Sequence, residues 1–202
     1  MSEVDLSIPC PLCGVENQLK MFTFFDEIPY FGEHTQVTVS CLSCGWKQSD
    51  FIPAEEKEPS KHSLVVNTRN HLKARVVRSS SCTIRIPELD LEVNPGAEST
   101  GYVSNVEGVF ERFLRIIRLV KHQSISEQIE EEITALEEME NILINHDFLS
   151  PGQEITLELF DPRGHSVISH EDVVFRPLNP DEIECLPVGP EPPVFSANPS
   201  NP

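Results

Sequence analysis

Cys10-Pro-Leu-Cys13-Gly14 and Cys41-Leu-Ser-Cys44-Gly45 are the residues of this chain best suited to chemistry. In each, the two intervening residues let one tight turn aim both sulfurs at the same point. The glycine that follows can take a positive φ, so the backbone folds back and its amide can face a thiolate. The two pairs are separated by 27 residues. In a reducing compartment such spacing reads as a metal site, not a disulfide framework. Four soft thiolates suit tetrahedral Zn²⁺ at ~2.3 Å. The sequence therefore predicts one structural Zn²⁺ on Cys10, Cys13, Cys41 and Cys44, with an iron–sulfur cluster or an adventitious metal as the competing occupants. All four positions would be filled by protein, which leaves none for a substrate.

Other reactive side chains point elsewhere. Cys82 lies in phase with Ile84 and Ile86 and reads as a small core residue, while Cys185 stands alone. His165 and His170 flank a strand candidate and read as surface or turn histidines. No glycine-rich phosphate loop, nucleophile elbow or His-Glu-x-x-His helix occurs. The expectation is a protein that is not an enzyme. Its 33 acidic residues against 15 basic ones give a net charge of −18, which repels phosphate backbones. With no apolar run long enough to span a bilayer, and no basic and apolar leader in Met1–Asp5, a cytoplasmic protein is expected.

Around the cysteines the 202 residues divide into four regions. Residues 1–52 hold the finger, 53–60 a charged, proline-bounded linker, and 61–186 a β-rich domain. Residues 187–202, with six prolines, read as a disordered tail. In the β-rich domain, Cys82–Ile86 and Ile155–Leu159 alternate apolar and polar residues. Val65-Val66, Val76-Val77 and Val173–Phe175 add β-branched or aromatic strand formers. Asp161-Pro-Arg-Gly164 is a turn sequence. A helical hairpin is predicted over about 105–145. Its first helix opens with a capping box at Ser104–Glu107 and places apolar residues at 106, 109, 110, 113, 114, 117 and 120. Its second opens with a capping box at Ser124–Glu127. Arg112, Arg115, Arg118 and Lys121 end the first helix basic, which suits its dipole, and the second is rich in glutamate. Opposite charge favours antiparallel pairing, although exposed pairs contribute only ~0–1 kcal/mol each, and the acidic face reads as a solvated face or a partner-binding one.

Between the knuckles, Met21–Phe25 and Thr35–Val39 should pair as a hairpin with Asp26–Glu33 at its tip. Residues 8–52 carry seven of the chain's 14 aromatic residues, more than a module of about 45 residues can bury. Either the rings pack on the larger domain or they form an interaction site. In the second case Ile28, Tyr30 and Phe31 would anchor a partner within the acidic rim of Asp26, Glu27 and Glu33.

Several phrases together resemble the ZPR-type zinc-finger proteins. These are Cys-Pro-x-Cys-Gly, then Asp26–Glu33, then Cys-x-x-Cys-Gly, then Leu72–Ser79 followed by Ile84–Leu89, then Gly101–Gly108 and Asp161–Ser166. The resemblance implies a mainly β fold, with a zinc-ribbon-like four-cysteine finger followed by a double-stranded β-helix (jelly-roll-like) domain that carries an inserted α-helical hairpin. The motifs occur once, as in the single-module, archaeal-type form. Ser104-Asn105 and Asn70-His71 depart from the family pattern. The implied role is binding translation elongation factor 1-alpha and assisting its folding. Two other readings remain open at this stage: a nucleic-acid-binding zinc ribbon, and a jelly-roll metalloenzyme.

Overall fold

The computed structural model describes residues 2–28, 32–53, 57–96, 98–187 and 189. The N-terminal part is one antiparallel meander of β1 (Ser2–Leu6), β2 (Leu19–Ile28), β3 (Gly32–Cys41) and β4 (Lys47–Pro53), in that spatial order. Leu6, Leu19, Val39 and Cys41 are buried together, with Met21 and Trp46 packed on them. The β2–β3 hairpin is longer than the sequence predicts. Residues 26–28 and 32–33 are strand, and 29–31 lie outside the described residues.

Eight strands follow: β5 (Ser60–Val66), β6 (Arg75–Arg78), β7 (Thr83–Ile86), β8 (Leu91–Val93), β9 (Tyr102–Asn105), β10 (Ile155–Asp161), β11 (Val167–Ser169) and β12 (Val174–Pro177). They form a five-stranded sheet in the order β12-β5-β10-β7-β8 and a three-stranded sheet in the order β11-β6-β9. Alternation decides which faces meet. Leu64 and Val66 of β5, Leu157 and Leu159 of β10, Ile84 and Ile86 of β7, and Val76 of β6 share one core. Cys82 is fully buried in it, and burial pushes its thiol up to about 12. The mainly β, jelly-roll architecture is as expected.

The helical hairpin lies between β9 and β10, as α1 (Val106–Glu127) and α2 (Glu130–Asn145). Both predicted capping boxes are displaced. Ser104 stays in β9, paired with Val76, so the cap falls to Asn105, whose Oδ1 accepts the Gly108 N–H at 2.8 Å. Ser124 lies inside α1, where its hydroxyl donates to the Val120 carbonyl and to Glu132. The chain reverses instead at Gln128, in the left-handed region with φ 61°. Val106, Val109, Phe110, Phe113, Leu114 and Ile117 are buried, whereas Val120 faces solvent. Arg118 and Lys121 both reach Glu140 on the antiparallel partner helix. Among the described residues, no helix is long and apolar enough to cross a membrane.

Two segments tie back to this domain. The Pro59 carbonyl, in the stretch read as a linker, accepts the Leu178 N–H at 2.9 Å. A short α3 (Pro180–Cys185), opened by a capping box of Asn179 and Glu182, leads to Leu186, which packs on Phe160 and Leu178. Of the predicted tail, Pro187 and Gly189 are described, and Gly189 abuts Ser80 and Ser81; the rest lies outside the described residues.

Candidate metal centre

The meander brings both knuckles to the same end of one sheet. Residues 7–18 connect β1 to β2 and residues 42–46 connect β3 to β4, while Leu19 and Cys41 are directly paired between them. In each knuckle the glycine amide donates to the carbonyl of the first cysteine, Gly14 to Cys10 at 2.8 Å and Gly45 to Cys41 at 3.0 Å. Their φ values of 71° and 75° lie in the left-handed region that favours glycine. One detail of the sequence reading is thereby corrected. The amides facing the Cys10 sulfur are those of Leu12 and Cys13, and the glycine amides close the turns instead. The Leu42 N–H donates to the Gln18 carbonyl at 2.8 Å and fastens one knuckle to the other.

The four sulfurs lie within 4.8 Å of one another. Cys10 and Cys44 approach to 3.7 Å and Cys13 and Cys41 to 3.8 Å, so both short contacts run between knuckles. Four thiolates at ~2.3 Å from one tetrahedral ion would stand roughly 3.8 Å apart. The donor set therefore fits Zn²⁺ in type, number and spacing. Cys10 and Cys41 are buried and Cys13 and Cys44 exposed, so each knuckle offers one inner and one outer sulfur.

The electrostatics favour a cation at this point. Burial would raise the Cys10 thiol, but backbone N–H groups and the neighbouring thiols hold it down at about 7. For Cys44, a backbone hydrogen bond at Trp46 lowers the thiol, and burial with the three other thiols outweighs it and pushes it up to about 12. The first proton leaves easily and the last does not, because thiolates at this spacing repel one another. A divalent cation removes that obstacle.

The predicted partner-binding residues sit at the far end of the same hairpin. Asp26, Glu27 and Ile28 belong to β2 and exposed Glu33 to β3, with Glu27 paired to Glu33; Tyr30 and Phe31 lie outside the described residues. Phe24 and Phe25, which the sequence reading had not singled out as anchors, are 45% and 69% exposed.

A second cluster was missed because its members are a hundred residues apart in sequence. His71, His170 and Asp172 each place a ligand-type atom within 4.8 Å of the others. The Asn67 N–H points at His71 Nδ1 (3.3 Å), which leaves Nε2–H to donate to Asp172 Oδ2 at 3.0 Å. His170 Nδ1 accepts the Asp172 N–H at 3.2 Å, and its Nε2 lies 3.1 Å from the Asn70 amide. The ring nitrogens are engaged by protein, so the group clamps the turn after β11 to the short helical turn at His71–Lys73. His165 is separate from it, half-buried beside the β10–β11 turn, and burial lowers its pKa.

Comparison with known proteins agrees with this architecture. The model of the ZPR1 jelly-roll domain matches residues 70–175. A ZPR1-like protein of Methanocaldococcus jannaschii is 37% identical over 182 residues, 90% of this chain and 89% of the relative. A ZPR1-like protein of Pyrococcus horikoshii is 36% identical over 181 residues, 90% of this chain and 80% of the relative. The zinc finger chaperone zpr1 of Schizosaccharomyces pombe is 32% identical over 102 residues, 50% of this chain and 21% of the relative. With a four-cysteine finger sheet ahead of a jelly roll that carries a helical hairpin, the chain belongs to the ZPR1 family.

Proposed function

We propose that this chain is a cytoplasmic protein-binding module that holds one Zn²⁺ on Cys10, Cys13, Cys41 and Cys44, and that it binds translation elongation factor 1-alpha and assists its folding. The observation that carries the reading is the exposure of Phe24 and Phe25 on a hairpin anchored at its other end by the four cysteines. Exposed aromatic rings on a rigid support, with Asp26, Glu27 and Glu33 following them, suit a partner whose apolar pocket is edged by Lys or Arg. The net charge of −18 would steer a basic client toward it. The printed description of the fission yeast relative as a zinc finger chaperone supports the same class of function.

The nucleic-acid reading is disfavoured by the finger's own charges. Lys20 is engaged by Glu3 at 2.5 Å and Asp5 at 3.6 Å, which leaves Lys47 as the finger's other lysine. An enzymatic reading is disfavoured because a four-thiolate ion has no open position.

Calorimetry of the zinc-loaded protein against elongation factor 1-alpha, with and without prior chelation, tests the proposal. Expected is binding that chelation abolishes and that weakens by less than about tenfold between about 50 and 200 mM salt, as screening of a charge-steered protein contact requires. Client binding untouched by chelation, or RNA binding that falls about a thousandfold over that salt range, would reject it.

A further inference from the structure

We infer that the jelly roll carries a second ligand site, away from the cysteines, for a carboxylate attached to an apolar body. The site is a cavity of about 300 Å³, open to solvent on one side, where β6 and β9, the β7–β8 edge and α1 meet. Arg78 of β6 and Arg112 and Arg115 of α1 line it. Its remaining wall is apolar, with Ile84, Val93 and Phe113 among the contributors.

The arginines are the anomaly. In a chain with 33 acidic residues, none of these three is ion-paired with a carboxylate among the described residues. Arg78 is only 6% exposed. Its Nη atoms donate to the Ser99 hydroxyl at 3.0 Å, the Thr100 carbonyl at 3.3 Å and the Cys82 carbonyl at 2.9 Å, all neutral acceptors. Its buried Nε–H has no acceptor at all among the described residues. A buried cation without a counter-charge is a costly arrangement, and an unsatisfied buried donor calls for a partner.

Tyr102 orders the charges. Its ring centroid lies 3.9 Å from the Arg112 guanidinium and 5.7 Å from that of Arg78, so one aromatic ring is within cation–π range of both. Arg112 and Arg115 are themselves exposed at the mouth, where an incoming anion meets them first. Of the four cations at the basic end of α1, Arg118 and Lys121 are the ones that pair with the acidic helix. Planar guanidinium groups recognise a carboxylate through two parallel hydrogen bonds. A bare inorganic anion would leave the apolar wall unused, and a neutral apolar ligand would leave the cations unpaired. The chemistry that uses both is a carboxylate beside an apolar group, as in a small aryl or alkyl acid or at the free C-terminus of a peptide ending in an apolar residue.

The full zinc-loaded chain, labelled with ¹⁵N, would be titrated with 3-phenylpropionate, with its neutral amide, with inorganic phosphate, and with a short peptide ending in Phe, either free or amidated. Expected are shifts centred on Val93, Tyr102 and residues 109–116, at least tenfold weaker binding of the amide and of phosphate, and at least a tenfold loss in Arg112→Gln and Arg115→Gln. Both substitutions are at exposed helix positions, and an unchanged melting temperature would establish that the variants are folded. If a variant nevertheless misfolds, the acid-against-amide comparison in the unaltered protein decides. Tighter binding of the free peptide than of phenylpropionate assigns a protein terminus as the source, and the reverse order a small acid. Equal binding of acid and amide, equal binding of phosphate, or no shift at millimolar ligand would overturn the inference.

Discussion

Asp50 of β4 and Ser80, in the turn after β6, join the finger sheet to the jelly roll. The Ser80 N–H donates to Asp50 Oδ1 at 3.0 Å and its hydroxyl donates to Oδ2, with both residues buried. Beside this pair, the Gly101 N–H donates to the Ser49 carbonyl at 2.8 Å. A buried carboxylate receiving two donors from the other sheet is strongly directional. Replacing it by Ala strands a backbone N–H and a hydroxyl out of reach of water. Asp50→Ala should cost about 2–4 kcal/mol, read as a lower urea midpoint. A loss below about 0.5 kcal/mol would mean that the junction is held elsewhere.

Metal removal should act through the same junction. Cys41 ends β3, and β3 pairs along its length with β4, which carries Asp50. Chelation, or Cys41→Ser, should release the zinc and melt the meander, because metal binding supplies much of a small module's folding free energy. The jelly roll, with its own core, should stay folded but lose the stabilisation that Asp50 provides. The effects of Cys41→Ser and Asp50→Ala on the jelly roll should therefore be less than additive in a double-mutant cycle. Full additivity would count against the coupling, and global unfolding of Cys41→Ser would show that the jelly roll depends on the finger outright.

What was legible in the sequence was whatever rests on short-range pattern. The knuckles announce themselves because two-residue spacing and a following glycine encode a turn, and β10 announces itself because Ile155, Leu157 and Leu159 alternate. The jelly roll was not legible from alternation, since β5 lies between β10 and β12 and such pairing is set by packing of the whole sheet. It came from resemblance. The capping boxes misled because Ser104-x-x-Glu107 and Ser124-x-x-Glu127 fit the local rule while β9 pairing and the left-handed turn at Gln128 overrode it. His71, His170 and Asp172, like Arg78 and Arg112, meet only through the fold, so no window of sequence could have joined them.

Acid should destabilise the protein through His62. This side chain in β5 is buried against the edge of Phe175, with ring centroids 5.1 Å apart, and its Nδ1 has no partner among the described residues. Burial, and then the charge of Lys57, lower its pKa to about 4, against a smaller opposing effect of Asp161. Above about pH 6.5 the ring is neutral in both states. Between about 6.5 and 4 the unfolded chain takes up a proton that the folded one refuses, so stability falls as pH drops. The full effect is on the order of 3 kcal/mol. In His62→Phe this part of the pH dependence should vanish, and the difference between the two proteins' urea midpoints across about pH 7 to 4 measures it. Parallel curves would assign the acid sensitivity to other groups.

The finger's hairpin provides the last test. Phe24 and Phe25 are consecutive on β2 and so point to opposite faces of the sheet, yet both are exposed. At this point the ribbon is open to solvent on both sides, and Tyr30 and Phe31 follow in the sequence. If the rings serve a partner, Phe24→Ala with Phe25→Ala should leave zinc content unchanged and stability within about 0.5 kcal/mol, because no packed core is lost. Binding of elongation factor 1-alpha should weaken at least tenfold, or about 1.4 kcal/mol. Tyr30→Ala with Phe31→Ala should give the same pattern, since Pro29 restricts the backbone beside them and lowers the ordering cost of presenting both rings. Calorimetry and thermal melts on the two double variants read both quantities. Variants that melt several degrees lower but bind the client normally would make these rings part of the finger's own packing and place the interface elsewhere.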